Sequence, residues 1–232
     1  MPDAETACHK IWGGLSDYLT FSVATLIKRV NRGWPLKRLR KVSITPVTPL
    51  ETYTRIFDQM KDIKIRKEMF QDIDAIRAVN EQAFGQPQEA NIVDKLRADC
   101  DGLLSLVALQ DEKITGHILF SPVPIEGSFG ILKGMGLAPM AVLPEFQRKG
   151  VGSELVKAGI EILKKSKSPF TIVLGHPEYY PRFGFERASL YGIKSQWEGV
   201  PDHAFMILWL DKTVMNHVSG VAKYRDEFNE AM

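Results

Sequence analysis

Apolar and polar positions fall into a regular pattern only from residue 63 onward. Residues 63–69 (IKIRKEM) alternate, as a half-buried strand does. Asp72 then stands where it can cap a helix in which Ile73, Ile76, Val79 and Ala83 share one face. A second helix is predicted over 89–98, a buried strand over 103–109, and a turn at Asp111-Glu112-Lys113. Residues 114–125 read as a long strand with Pro122 and Pro124 near its end, and 132–143 as another. Over 150–165, Val151, Leu155, Ala158 and Ile162 recur at helical spacing. Short apolar runs at 170–174 (FTIVL) and 204–210 (AFMILWL) read as buried strands, with a short helix over 177–182 and a strand start at 184–187 between them. Strands and helices are interspersed, and the middle strands are joined by a tight turn. The expectation is a mixed α/β layer fold occupying 61–212, followed by a helical tail over 213–232.

Residues 1–60 follow a different pattern. Ile11, Leu15, Tyr18, Leu19, Leu26, Ile27 and Val30 allow an amphipathic helix. The segment holds nine Lys/Arg against five Asp/Glu, and no acid stands between Tyr18 and Leu50. Pro46 and Pro49 imply an extended linker. Such a basic extension is either a surface for an anionic membrane or a partner, or a solvated appendage. Met60 is a possible start for a compact domain on its own. The remaining residues carry 21 Lys/Arg and 23 Asp/Glu, a balance that argues against a nucleic-acid-binding core. No basic n-region opens the chain, and no apolar run is long enough to span a bilayer. Cys8 and Cys100 are too few and too far apart for a disulfide framework or a zinc site, which fits a cytoplasmic, metal-free protein.

The candidate chemistry centres on a strand, Pro144-Glu145-Phe146, the loop Gln147-Arg148-Lys149-Gly150-Val151-Gly152, and a helix. Glycines at a helix start let a ligand approach the backbone. The first-turn N–H groups and the helix dipole favour an anion there, a diphosphate being well suited. Arg148 and Lys149 add positive charge. The Walker spacing G-x-x-x-x-G-K-[ST] is absent, and Leu155 stands where a Rossmann loop needs its third glycine. Read alone, the glycine pair is equally a plain helix start flanked by solvated cations.

In its context the loop resembles that of the GNAT acetyltransferase superfamily, whose pattern is [Q/R]-x-x-G-x-[G/A] after a strand ending V-x-P. Here Val142-Leu143-Pro144 precedes Gln147-Arg148-Lys149-Gly150-Val151-Gly152. A second match, Tyr179-Tyr180-Pro181-Arg182-Phe183-Gly184-Phe185, follows the next strand, and the likeness covers about 63–210. The wording LGHPEYYPRFGF is similar to a bacterial subgroup of predicted acetyltransferases. The resemblance implies the GNAT acyl-CoA N-acyltransferase fold, a mostly antiparallel twisted sheet flanked by helices, and acetyl-CoA as co-substrate with no metal. It implies that backbone groups of Met140, Ala141 and Val142 hold the pantetheine arm. Gln147, Arg148, Lys149, Gly150, Val151 and Gly152 form the pyrophosphate loop. Tyr180 aligns with the tyrosine that protonates the departing thiolate, though it also reads as a packing aromatic.

The reaction needs a neutral amine, a proton acceptor, and a fixed donor for the carbonyl oxygen, such as a strand N–H near Met140 or Val142. His176, where many members have Asn, and Glu145 are candidate bases; Glu145 equally serves as a charge near the helix start. His117 and Glu81 are weaker candidates, and Cys100 reads as a packed residue. The acceptor is a small-molecule or protein amine. A CoA-binding sensor or interaction module on the same scaffold is the alternative, and a homodimer is possible through the tail.

Overall fold

The two central strands carry the apolar runs 106–109 and 118–120 without polar alternation because both of their faces are covered. In the computed structural model β2 (Leu104–Gln110) turns Leu104, Leu106 and Ala108 to one face, and Val107 and Leu109 to the other. Its neighbour β3 (Lys113–Gly127) divides Ile118 and Phe120 from Leu119, Val123 and Ile125 in the same way. This is the two-residue period of a strand applied to a sheet buried on both sides. Residues 63–215 and 218–231 are described, all within the unit Phe57–Met232.

One face is covered by α1 (Ile73–Phe84) and α2 (Gln88–Asp99), which contribute Ile76, Ile92, Val93 and Leu96. The other is covered by α3 (Val151–Lys165), through Val151, Leu155, Val156, Ile160 and Leu163. Each such side chain stabilises the fold by about 1.5–3 kcal/mol on burial. Gly85, at φ 72°, ends α1 in the left-handed conformation and lets the chain double back into α2. Arg77 of α1 then ties the pair, reaching Asp94 at 2.6 Å and Asn91 at 2.9 Å.

Among the described residues the sheet has nine strands, seven of them in the order β1-β2-β3-β4-β5-β8-β6. Here β1 is Lys64–Lys67, β4 Gly130–Val142, β5 Phe170–Leu174, β6 Glu186–Arg187 and β8 Phe205–Trp209. Pairing along this path is antiparallel except between β4 and β5. The expected mixed α/β fold with a mostly antiparallel sheet is the one observed. Two expectations need correction. Asp72 precedes α1 without a side-chain capping bond. Its carboxylate instead takes the Arg66 guanidinium and the Met69 N–H at 2.8 Å, and the first of these holds its pKa below the usual range. The segment beyond residue 212 is not a helical tail. It returns as β9 (Gly220–Ala222), which pairs with the end of β3 and, in parallel, with β7 (Ile193–Ser195), and only Asp226–Ala231 coil, as a 3-10 turn. The pattern expected over 1–60 lies outside the described residues.

Candidate active site

The site forms where β4 and β5 part. They pair only through Met135 with Thr171, Gly136 with Ile172 and Leu137 with Val173. Beyond that, β5 continues against β8 and β4 continues against β3 to Val142. Between Leu137 and Met140, β4 carries one residue more than the facing stretch of β3 from Ile118 to Phe120. Ala138 and Pro139 occupy this bulge, and proline has no N–H to offer a neighbouring strand. The strands therefore diverge and open a cleft of about 710 Å³. Leu137–Met140 form its β4 wall, and Leu174, Gly175 and His176 lie across from them.

At the head of the cleft, the 3-10 turn Pro144–Phe146 ends β4. The Gln147 amide Nε2 donates to the Val142 carbonyl at 3.1 Å and ties the loop to the strand end. Arg148 (φ 59°) and Gly150 (φ 90°) are left-handed. Gly150 is the N-cap of α3, and the first helical bond runs from the Glu154 N–H to the Gly150 carbonyl at 3.0 Å. The N–H groups of Val151, Gly152 and Ser153 precede that bond, so they face outward at the positive end of the helix dipole. A Cβ on Gly152 would stand 2.8 Å from the Tyr179 hydroxyl and 3.6 Å from the Met140 thioether and methyl. Loop, strand end and Tyr179 thus converge at the head of α3. The exposed Arg148 and Lys149 lie beside it, with the Lys149 ammonium 5.6 Å from the Phe146 ring centroid. Outward N–H groups, nearby cations and a glycine cradle fit a diphosphate, and the largely apolar cleft beside them fits an alkyl-amide arm.

Tyr180 opens the 3-10 turn Tyr180–Phe183 and lines the cleft at 6% exposure. Its ring rests against the backbone of Gly175, where a Cβ would come within 2.3 Å of Cε2, and meets Phe185 edge-on at 5.5 Å. Among the described residues, its hydroxyl takes no hydrogen bond. Burial, then the neighbouring Tyr179, raises the phenol above its ordinary range and keeps it protonated. His176 lines the same cleft, exposed at its edge, and its carbonyl accepts the Tyr179 N–H at 3.0 Å.

The structure thus gathers Met140, Tyr180, His176 and the loop. It does not bring Glu145, His117 or Glu81 to the cleft wall. The Glu145 carboxylate is exposed and pairs with Lys113 at 3.2 Å. Its own backbone N–H, then Lys113, lowers its pKa, which makes it a poorer proton acceptor. Glu81 pairs with Arg77 at 3.0 Å. Ala141 faces the small apolar cluster with Val79 and Leu143 rather than the cleft, so it has only its backbone to offer. Sequence reasoning missed Leu137, Ala138, Pro139 and Tyr179. Pro139 inside a strand was the available signal, since an interior proline marks an unpaired edge or a bulge.

His117 is fully buried within a polar chain. Asn80 Nδ2 lies 3.1 Å from its Nδ1, and Ser105 Oγ 3.0 Å from its Nε2. Ser105 donates onward to Glu68, which receives Arg97 Nε at 2.6 Å. The directions agree if His117 is neutral with its proton on Nε2. Burial, then Arg97, pushes its pKa down to about 3. The unfolded chain therefore binds a proton between about pH 6.5 and 3 that the folded chain refuses, and stability falls on acidification through that window. Denaturant unfolding at pH 7 and pH 5 is expected to show a loss of about 2 kcal/mol from this one group. In His117→Gln that slope should vanish, whatever the variant's stability at pH 7. An unchanged slope would place the titration elsewhere.

Comparison with known proteins agrees with this geometry. The family model for the acetyltransferase (GNAT) domain matches residues 64–188. The uncharacterized N-acetyltransferase YhbS of Escherichia coli is 34% identical over 166 residues, which cover 71% of this chain and 98% of that protein. The crystal structure of E. coli YhbS in complex with CoA superposes with a TM-score of 0.67 over 72% of this chain and 92% of that one. A GNAT family acetyltransferase from Brucella melitensis, solved with acetyl-CoA, is 34% identical, with a TM-score of 0.59 over 72% of this chain and 99% of that one. On the matched domain, the shared identity and the common fold, this chain belongs to the GNAT acetyltransferase family.

Proposed function

We propose that this protein transfers the acetyl group of acetyl-CoA to a primary amine by direct attack, with Tyr180 as the proton donor to sulfur. The observation that carries this reading is the wedge between β4 and β5 with the left-handed loop Gln147–Gly152 at its head. The diphosphate rests on the N–H groups of Val151 and Gly152, with Arg148 and Lys149 beside it. The pantetheine arm runs along the free edge of β4, where Met140 and its neighbours offer backbone partners. Acetyl-CoA supplies an acetyl group activated as a thioester. Across the reaction a C–N bond forms and the C–S bond breaks; the nitrogen gives up one proton and the sulfur gains one. A strand N–H near Met140 stabilises the carbonyl oxygen as it gains charge. The Tyr180 phenol lines the cleft and is protonated at neutral pH, so it meets the developing thiolate as a donor. His176, at the edge of the cleft, is placed to pass the amine's proton to water.

Calorimetric titration with acetyl-CoA is the direct test. Micromolar binding is expected, followed by amine-dependent thiol release. Binding without thiol release for any amine would favour a CoA-sensing module. A folded protein that binds neither CoA nor acetyl-CoA would overturn the reading at its base.

A further inference from the structure

The cleft continues past the strand wedge to a wall that the acetyl donor does not require. That wall comes from the end of α1, the first turns of α2, the stretch between β7 and β8, and the segment after β9: Phe84, Ile92, Trp197, Tyr224 and Phe228, with Glu89 as its carboxylate. The aromatic part is fixed in place. Trp197 donates from Nε1 to Asn229 at 2.8 Å and lies tilted at 33° over Tyr224, with centroids 5.3 Å apart. Tyr224 donates to the Ile172 carbonyl at 3.0 Å and meets Phe228 edge-on at 5.4 Å. Glu89 is half-buried in the first turn of α2 and accepts the Gln86 amide on both oxygens, at 3.2 and 3.3 Å. The Arg77 bonds to Asn91 and Asp94 hold that turn against α1.

We infer that this end of the cleft takes the acceptor, and that the acceptor is a small primary amine carrying an aromatic group, its ammonium held by Glu89. The inference rests on the acetyl-transfer reading above. The aromatic wall buries a ring and attracts a nearby cation through its faces. Glu89 offers one charge-assisted partner for the arriving ammonium, which gives up one proton to water before its nitrogen, now neutral, attacks the thioester and loses the second. A polyamine would have to bury its further ammonium groups against apolar rings, at a large desolvation cost. A peptide amine would bring amide groups for which this wall provides few partners. The other carboxylate of the cleft, Glu178, is exposed on the turn before Tyr179, whose hydroxyl stands over Gly152.

The test uses the full chain and four probes: 2-phenylethylamine, ethanolamine, spermidine and a short unblocked peptide. Each is titrated calorimetrically into protein saturated with CoA, then assayed for thiol release with acetyl-CoA. Binding and kcat/KM for 2-phenylethylamine should exceed those for the other three by at least about tenfold, the scale of one buried apolar group. Glu89→Gln should raise the Kd and KM of that amine about tenfold or more while acetyl-CoA affinity stays unchanged. Trp197→Leu should narrow the gap between the aromatic amine and ethanolamine. Preference for spermidine or the peptide, with acetyl-CoA binding intact, would overturn the substrate class. Loss in Glu178→Gln but not in Glu89→Gln would overturn the assignment of the carboxylate. A protein that binds no acetyl-CoA would fail the reading beneath both, and the calorimetric baseline without amine separates that case.

Discussion

Gly152→Glu is expected to lose acetyl-CoA binding, with Kd raised at least about 100-fold, while the protein stays folded; 100-fold corresponds to about 2.7 kcal/mol. The two halves of this expectation have separate causes. Gly152 lies in the first turn of α3, where the helix dipole favours a carboxylate, so the new side chain does not destabilise the helix. The atoms that a Cβ there would meet are the Tyr179 hydroxyl at 2.8 Å and the end of the Met140 side chain at 3.6 Å. Both are tips of side chains that can turn aside. Binding fails for the opposite reason. The carboxylate takes the same N–H groups and the same positive end of the helix that a diphosphate needs, and it repels the phosphates that approach. Calorimetry gives the affinity and thermal unfolding gives the fold. Micromolar binding by the variant would move the diphosphate away from the head of α3. A collapsed melting temperature would leave calorimetry on Gly152→Ala, which adds bulk without charge, to decide the placement.

The elements beneath this site are largely legible along the chain because their patterns are local. The recurrence of Val151, Leu155 and Ile162 marks α3, and the mainly apolar runs of β2 and β5, each interrupted by a small hydroxyl residue, mark strands buried on both faces. What escapes the pattern is set by chain return. Three-residue β9 has no period to detect, and it becomes a strand only because the end of β3 offers a free edge beyond the reach of β2. Glu89 falls in a stretch, 85–90, that is a candidate for substrate selectivity but carries no readable motif, and Trp197 reads as pocket or core, until Phe84, Glu89, Ile92, Trp197, Tyr224 and Phe228 are brought to one cleft. Tyr179 and Tyr180 are adjacent in a single motif, yet the turn sends them to different places. Tyr179 reaches the head of α3, and Tyr180 sinks against Gly175. Motif matching pairs the whole motif with one function, whereas the backbone geometry separates its two phenols.

That separation makes Tyr180→Phe the sharper test of the chemistry. Acetyl-CoA affinity should stay near that of the parent, and turnover should fall about 10- to 1000-fold, the range of a general-acid contribution. The drop corresponds to about 1.4–4 kcal/mol of lost transition-state stabilisation. The fold should not suffer. The ring keeps its contacts with Gly175 and Phe185, and among the described residues no partner is orphaned when the hydroxyl is removed. Because burial raises the phenol, the parent enzyme should show no loss of rate from Tyr180 ionisation on the alkaline side up to its ordinary value near pH 10. Tyr179→Phe is the companion measurement. Its hydroxyl stands over Gly152, so its removal should weaken acetyl-CoA binding more than it slows bound substrate. Were Tyr180→Phe to turn over like the parent while Tyr179→Phe lost kcat with affinity intact, the proton donor would be Tyr179, and the buried phenol would be only the packing that holds the turn.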